Sequence, residues 1–338
     1  MPPAAPHASP EKVCEMDDLE ALADFSARIG SDPEQVQAAG GNTSLKVGGT
    51  LWVKASGFWL ADAQERDLFV PVDVAKVLDA IDGGSEEDVR AAVLEDRNPR
   101  SLRPSIETSL HALLPQRFVV HTHSVRTIAL AIQKDARDLL EERLDGLGWA
   151  FVPYVFPGLP LTRAIREAID SRAIDVVVMG NHGLVVAADD LDAAAALLAE
   201  VERRLDVPAL PLGAATVPGR EGFRPVRHAA AHALARQALM RKRATAGSYY
   251  PDHVIFLGPA AATPERRRWG QHLLLVPDEG AYVPEDAQPA ADELALCLAL
   301  VLSRVPENAD LLALEPRDEA ALLGWDAEKY RQSLGRPG

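Results

Sequence analysis

The sequence predicts an α/β fold in which helices of 3.6-residue periodicity alternate with short buried strands. Three stretches indicate strands, namely the hairpin region 39–55, the run Phe118–Val120 and the run Asp175–Met179. Segments whose apolar residues recur at helical spacing lie between them, as is typical of helices that cover a sheet. With 47% hydrophobic residues in 338, the chain can bury a large core.

Helix-breaking residues and tight turns mark the ends of the predicted N-terminal elements. We predict a disordered segment at 1–15, then a helix at 16–29 that ends at the breaker Gly30-Ser31-Asp32-Pro33. The hairpin follows at 39–55, with Gly48-Gly49 as its turn. The tight turn Ser56-Gly57 closes it.

The middle of the chain alternates between the two kinds of element. The helical patterns predict, in order, a helix at Pro71–Val93, a helix that opens with Ser105 as N-cap, a helix at Val125–Ile132 and a helix at Asp192–Arg204. The strand at Asp175–Met179 ends at Gly180-Asn181-His182-Gly183, and a further apolar run, Leu184–Val186, follows it. These elements form the predicted main domain, 16–206.

The Pro- and Gly-rich stretch 207–225 is the predicted linker to a smaller C-terminal α/β extension at 226–338. After an Arg- and Ala-rich helix, the extension is predicted to contain strands at His253–Leu257 and near Leu273–Val276, and helices near Asp292–Arg304 and Asp318–Leu334. It carries no motif that points to chemistry.

Charge and cysteine content limit the partners and the compartment. The net charge of −15 disfavours nucleic acid and anionic membranes as the main partner, although it permits an anionic small molecule in a local pocket. Cys14 and Cys297 are far apart and form no CxxC pattern, so neither a disulfide framework nor a thiolate zinc site is indicated. No apolar stretch reaches membrane length, and we expect a cytoplasmic protein.

Two histidines, His121 and His123, follow the apolar run at 118–120. Alternate side chains of a strand share a face, so both imidazoles can reach one cation. Catalytic zinc sites take three protein ligands and keep a position open for water or substrate. His182, between glycines at the end of another apolar strand, is the candidate third ligand. The three histidines predict a divalent-metal site, with a structural histidine pair as the alternative.

Glu107 lies two residues after the proposed cap Ser105, near the positive end of a helix. A carboxylate buried beside a dication can alternate between ligand and proton carrier, so Glu107 is the candidate acid/base. Helix capping is its alternative role. His111, one turn further on, is interpreted as a packed helix residue rather than a fourth ligand.

The glycine-rich loop 40–44 and the turn Ser56-Gly57 can present backbone amides and hydroxyls to an anion, and Lys54 can add charge. Ordinary hairpin turns are the alternative. Neither stretch carries a dinucleotide fingerprint or a P-loop, so the loops do not indicate a nucleotide site.

Several short motifs, in this order and spacing, resemble the class II aldolase/adducin family. They are Gly41-Asn42-Thr43-Ser44, Ser56-Gly57, Pro104-Ser105-Ile106-Glu107, His121-Thr122-His123 and Asn181-His182-Gly183. The resemblance covers roughly 19–205. The first motif is most similar to the aldolase half of rhamnulose-phosphate aldolase/dehydrogenase fusions.

The resemblance implies a three-layer α/β/α domain with a central, largely antiparallel sheet, assembled as a homo-oligomer, commonly a tetramer. It implies zinc, or another divalent metal ion, on His121, His123 and His182, and catalysis by Glu107. It also implies that a sugar or sugar phosphate is recognised by a set of polar groups, Asn42, Ser56, Gly57 and Ser105.

The activity implied is reversible retro-aldol cleavage of a ketose or ketose 1-phosphate through a metal-stabilised enediolate. Ile106 departs from the family pattern of two adjacent hydroxyls before the glutamate, which leaves phosphate recognition open. Family aldolases use a tyrosine acid from a neighbouring subunit; Tyr154 is available here, but its spacing does not identify it.

Three other functions fit the same residues. A sugar-phosphate 4-epimerase of the family breaks and remakes the bond without releasing products. A non-catalytic, adducin-like interaction module keeps the fold without the chemistry. Metal-assisted hydrolysis needs the same histidines and carboxylate to activate water.

Overall fold

A computed structural model describes residues 10–169, 172–268 and 270–334, with side chains from residue 15 onward. Its helices are α1 Pro10–Gly30, α2 Val74–Gly83, α3 Glu86–Ala91, α4 Thr108–Leu113, α5 Val125–Ala131, α6 Ala136–Leu144, α7 Leu159–Ile169, α8 Leu191–Arg204, α9 Ala233–Arg236, α10 Ala238–Ala246, α11 Pro251–Leu257, α12 Pro289–Ser303, α13 Pro316–Gly324 and α14 Asp326–Leu334. Its strands are β1 Asn42–Val47, β2 Thr50–Lys54, β3 Phe69–Asp73, β4 Phe118–Thr122, β5 Trp149–Val152, β6 Val176–Met179, β7 Gly183–Ala188, β8 Phe223–Pro225, β9 Leu274–Val276 and β10 Gly280–Pro284.

The predicted disorder at 1–15 falls partly on residues 1–9, which lie outside the described residues. The remaining residues of that segment, 10–15, belong to α1. The predicted N-terminal helix is confirmed, but it begins at Pro10, six residues before the predicted start at Met16.

The central sheet of the described chain has seven strands in the order β3-β2-β1-β4-β7-β6-β5. All neighbours are antiparallel except β5 and β6. The predicted hairpin is β1 and β2. In β4, His121 pairs with Asn42 of β1 on one side and with Val185 of β7 on the other. The largely antiparallel sheet is confirmed.

Helices cover both faces of this sheet because its strands are apolar on both sides. On one face, Val120, Val176 and Val186 pack with residues of α1 and α8. On the other face, Val119 and Val177 pack with residues of α4 and α7. The three-layer α/β/α arrangement is therefore confirmed.

The C-terminal part, residues 208–334, contains a three-stranded sheet, β8-β10-β9, and helices α9 to α14. Strand β8 lies at the end of the stretch 207–225 that was predicted as the linker. The buried helix α12 packs on α5, and the two share an apolar core. The C-terminal part therefore lies directly against the large sheet domain.

Two predictions in the first half are wrong in detail. The segment predicted as a helix at Pro71–Val93 begins inside strand β3, which pairs with β2; α2 starts after Asp73, whose carboxylate accepts the Lys76 N–H as an N-cap. Ser105 is not the N-cap of α4. Glu107 occupies that position, and the Ser105 hydroxyl accepts the Glu107 backbone N–H at 3.2 Å.

Two predictions in the C-terminal part are also wrong. The segment His253–Leu257, predicted as a strand, belongs to helix α11, which Pro251 starts at its first position. The single helix predicted at 318–334 is two helices, α13 and α14, separated at Trp325. Within the part that the structure describes, no helix has the length and apolar content to cross a bilayer.

Candidate metal and catalytic site

The three predicted histidines meet at the end of strand β4. His121 lies within β4, His123 follows it, and His182 lies in the turn between β6 and β7. Their potential ligand atoms all lie within 4.8 Å of one another, and all three side chains are buried. The grouping arises because β7 is the hydrogen-bonded neighbour of β4.

The turn that carries His182 depends on its neighbours. Asn181 has a left-handed backbone with φ of 54°, and its side-chain amide donates to the carbonyls of Tyr249 and Leu312 in the C-terminal part. A Cβ on Gly183 would lie 2.3 Å from the Thr122 carbonyl oxygen. The turn therefore needs glycine at that position and is fixed to the C-terminal part by Asn181.

The Glu107 carboxylate lies between two of the histidines. Its Oε2 is 3.3 Å from Nε2 of His121, and its Oε1 is 3.3 Å from Nε2 of His182. The Asn42 amide donates to Oε2 at 2.8 Å. The structure thus brings Glu107 and the three histidines together.

A chain of buried hydrogen bonds connects Ser44, through His111 and Asn42, to Glu107. The Asn42 amide oxygen accepts a bond, so Nε2 of His111 must donate to it, and Nδ1 of His111 accepts from the Ser44 hydroxyl at 2.7 Å. Burial lowers the pKa of His111 to about 3, which keeps the ring neutral for this donor and acceptor pair. His111 thus orients Asn42 and stands outside the three-histidine group.

The electrostatics favour neutral imidazoles around an ionised carboxylate. Burial lowers the pKa of His182 to about 3 and also lowers that of His121. Burial opposes ionisation of Glu107, whereas protonated His121 and His182 and the Asn42 amide favour it and together bring its pKa to about 2. Neutral imidazoles attract a carboxylate less than charged ones do, so a bound cation would take over part of this stabilisation.

The residues fit a divalent cation. Nδ1 of His121 lies 3.0 Å from the Leu184 carbonyl oxygen, which can only accept, so the neutral ring carries its lone pair on Nε2. That nitrogen is buried, faces Oε2 of Glu107, and has no hydrogen-bond partner among the residues that the structure describes. Two opposed lone pairs repel each other, and a cation beside them would remove this conflict.

The predicted anion-binding residues lie on two segments that are joined by backbone hydrogen bonds. The Ser56 N–H donates to the Arg103 carbonyl, and the Ser105 N–H donates to the Lys54 carbonyl, both at 2.9 Å. Ser56, Gly57 and Ser105 line one cavity with Asn42, Glu107, His123 and His182. Ile106, the departure from the family pattern, lines it too.

Lys54 lies beneath the glycine-rich loop. Its ammonium group donates to the carbonyls of Ala39 and Gly41 at 2.8 and 2.9 Å, with the Gly40 carbonyl at 3.5 Å. Burial lowers the pKa of this lysine to about 7. Its contacts hold the loop rather than leave the ammonium free for an anion.

Sequence reasoning missed three charged residues of the site. Asp252, Glu328 and Arg331 line the same cavity, whose volume is only about 30 Å³. All three are buried and belong to the C-terminal part. Nothing local marks them in the sequence, because they lie in α11 and α14, far along the chain from the motifs.

Helix α14 separates this cavity from an outer cleft of about 610 Å³. Glu328 and Arg331 line the inner cavity, whereas Asp326 and Tyr330 line the outer cleft. Tyr154, the available tyrosine, lines a different cleft with Phe156 and Asp318, among other residues.

Comparison with known proteins identifies the family. The profile of the Class II Aldolase and Adducin N-terminal domain matches residues 20–207, which is more than half of the chain. The chain belongs to this family. The resemblance found in the sequence motifs is therefore confirmed.

Two individual relatives each match about half of the chain. The Uncharacterized oxidoreductase YuxG of Bacillus subtilis (strain 168) is 32% identical over 182 residues, 49% of this chain and 26% of its own length. The chain thus spans about a quarter of that relative. L-fuculose phosphate aldolase of Methanocaldococcus jannaschii is 25% identical over 169 residues, 47% of this chain and 78% of that protein.

A solved structure gives a similar coverage. The N-terminal class II aldolase domain of a conserved protein from Thermoplasma acidophilum is 26% identical and has a TM-score of 0.49. The similarity covers 60% of this chain and 95% of that domain.

Proposed function

We propose that this chain is a divalent-metal class II aldolase that cleaves a ketose or ketose 1-phosphate by a reversible retro-aldol reaction. The observation that carries the proposal is the Glu107 carboxylate, 3.3 Å from both His121 and His182. A carboxylate beside a cation site can exchange protons with a substrate bound at the same cation.

Glu107 is proposed to move the proton. In retro-aldol cleavage, the hydroxyl beyond the scissile carbon–carbon bond loses its proton as the bond breaks, and the ketone fragment later gains a proton at carbon. An ionised Glu107 carboxylate can take the first proton and later return it. Asn42 holds Oε2, which leaves Oε1 without a hydrogen-bond partner among the described residues.

His121, His123 and His182 would hold the cation. We propose zinc, because three imidazoles with an open coordination position suit that ion. When bound, the cation supplies Lewis-acid stabilisation of negative charge on substrate oxygens.

The cavity residues Asn42, Ser56, Gly57 and Ser105 are proposed to bind the sugar or its phosphate. The relative named L-fuculose phosphate aldolase supports a sugar phosphate. Because ligand pockets usually measure about 300–1,000 Å³, the cavity of about 30 Å³ must enlarge when a sugar binds. Helix α14, the wall towards the outer cleft, is the element whose movement would enlarge it.

The proposal is tested with Glu107→Gln, which keeps the side-chain shape and removes the ionisable group. We expect near-stoichiometric zinc by elemental analysis, and turnover of ketose 1-phosphates or free ketoses reduced by about 10²- to 10⁴-fold. Glu202→Gln, at a buried glutamate of α8, is the matched control and should leave turnover unchanged.

Near-normal turnover in Glu107→Gln would remove Glu107 from the mechanism. A sugar epimerised without release of two fragments would identify the 4-epimerase instead, and hydrolysis products would identify a hydrolase. A wild-type protein that binds no metal after reconstitution would favour the adducin-like module. We further propose a homo-oligomer, with a tetramer as the state to be checked by light scattering.

A further inference from the structure

One histidine of the metal site contacts a carboxylate from the C-terminal part. Nδ1 of His123 lies 3.2 Å from Oδ2 of Asp252, which is close enough for a hydrogen bond. The exposed fraction is 6% for His123 and 2% for Asp252, so water does not screen the contact. The carboxylate belongs to helix α11, outside the segment 20–207 that the family profile matches.

Asp252 is itself held in place by an arginine. The two terminal nitrogens of Arg331 donate to the two carboxylate oxygens of Asp252, at 2.8 and 2.7 Å. Such a bidentate pair fixes the plane of the carboxylate as well as its position. Arg331 belongs to α14, and it also donates to both carboxylate oxygens of Glu328 in the same helix at 3.2 Å.

Gly40 also lies close to the His123 ring. A Cβ on Gly40 would lie 2.6 Å from Nδ1 of this histidine, so the glycine backbone passes directly beside the ring. With Gly40 and Asp252 both close to Nδ1, the ring has little freedom to turn.

We propose that Asp252, fixed by Arg331, is a positioning residue that orients His123 for metal binding. A carboxylate can only accept, so Nδ1 of His123 carries the proton and the lone pair lies on Nε2, available to a cation. Metal-binding histidines commonly donate their other N–H to a carboxylate in this way, which fixes the tautomer and strengthens the ligand. The inference rests on the metal site of the proposed function.

The C-terminal part offers a matched control. Asp292 is also buried, with 1% exposure, and accepts two hydrogen bonds from Arg224, at 2.9 and 3.0 Å. Replacing either aspartate breaks a buried carboxylate–guanidinium pair, so both replacements should destabilise the fold. Only Asp252 contacts a histidine of the metal site.

The experiment measures Zn²⁺ affinity by competition with a chromophoric chelator for wild type, Asp252→Ala, Asp252→Asn and Asp292→Asn. We expect Asp252→Ala to weaken Zn²⁺ binding by about 10- to 100-fold, with a smaller loss for Asp252→Asn, which keeps one acceptor oxygen. Asp292→Asn should bind Zn²⁺ as wild type does. Asp252→Asn also provides a folded variant if Asp252→Ala fails to fold.

A second readout does not involve metal. In the metal-free protein, ¹⁵N NMR of the His123 side chain should show the proton on Nδ1, and Asp252→Asn should shift the tautomer population towards Nε2. Equal Zn²⁺ affinity and an unchanged tautomer in both Asp252 variants would overturn the inference and leave the proposed function intact. A wild-type protein without affinity for Zn²⁺ would overturn both.

Discussion

The ammonium group of Lys54 is buried beneath the glycine-rich loop, with 2% of the residue exposed. Burial lowers its pKa from 10.5 to about 7. Between these two values the unfolded chain binds one more proton at this residue than the folded chain does. The free energy of unfolding should therefore rise with pH from about 7 towards 10.5 because of Lys54 alone.

We predict that Lys54→Met removes this contribution. The slope that one group can add is at most about 1.4 kcal/mol per pH unit. Urea unfolding of both proteins at pH 7, 8 and 9 should show the stability of wild type increasing relative to the variant, while the titrations of other groups cancel. A difference independent of pH would mean that Lys54 keeps an ordinary pKa.

The sequence was sufficient for the residues that local rules constrain. Strand alternation correctly placed His121 and His123 on one face, and the glycines around His182 reflected a real steric limit at Gly183. Asp252 could not be predicted, because only the packing of α11 against the sheet domain brings it to His123. No spacing rule links residues 129 positions apart.

At the scale of elements, the turn between β6 and β7 connects the site to the rest of the molecule. Asn181 adopts a left-handed conformation that costs most residues about 1–2 kcal/mol, and its amide satisfies two carbonyls of the C-terminal part. Each of these buried hydrogen bonds contributes about 1 kcal/mol, and more when its loss leaves an unpaired carbonyl.

We predict that Asn181→Ala lowers the free energy of unfolding by about 3–5 kcal/mol. Asn181→Gly relieves the backbone strain but loses the same two hydrogen bonds, so it should be less destabilising than the alanine variant by about 1 kcal/mol. Chemical denaturation measures both. If the glycine variant were as stable as wild type, the two bonds to Tyr249 and Leu312 would contribute nothing.

Local pattern failed for elements whose type depends on their surroundings. The run His253–Leu257 is five residues long and largely apolar, so its hydrophobic pattern shows neither the helical nor the strand periodicity. Pro251 at the first helical position favours the helix that the structure shows. The opposite error occurred at the start of the helix predicted at Pro71–Val93. Its first residues belong to strand β3, which pairs with β2. The β-branched strands β4 and β6 and the long helix α8 were predicted correctly, whereas α6, β5 and α7 were not predicted.

At the scale of the whole molecule, the sheet domain and the C-terminal part share one apolar core. Val125, Ile128 and Ile132, on or directly after α5, are fully buried in it against residues of α12 and neighbouring segments. Arg304 of the C-terminal part also pairs with Glu34 at 2.6 Å. Helix α5, which lies in the segment that the family profile matches, is therefore shielded from solvent by the C-terminal part.

We predict that a fragment ending at Val207 does not fold stably, although it contains Glu107 and all three histidines. Exposing three fully buried aliphatic side chains costs about 5–9 kcal/mol, which is as large as the total stability of an ordinary domain, about 5–15 kcal/mol. Near-UV circular dichroism and Zn²⁺ affinity should both show the loss, and co-expression with residues 208–338 should restore them. A fragment that unfolds cooperatively and binds Zn²⁺ as tightly as the full chain would show that the C-terminal part is dispensable for the site, against the shared core and the contact between Asp252 and His123.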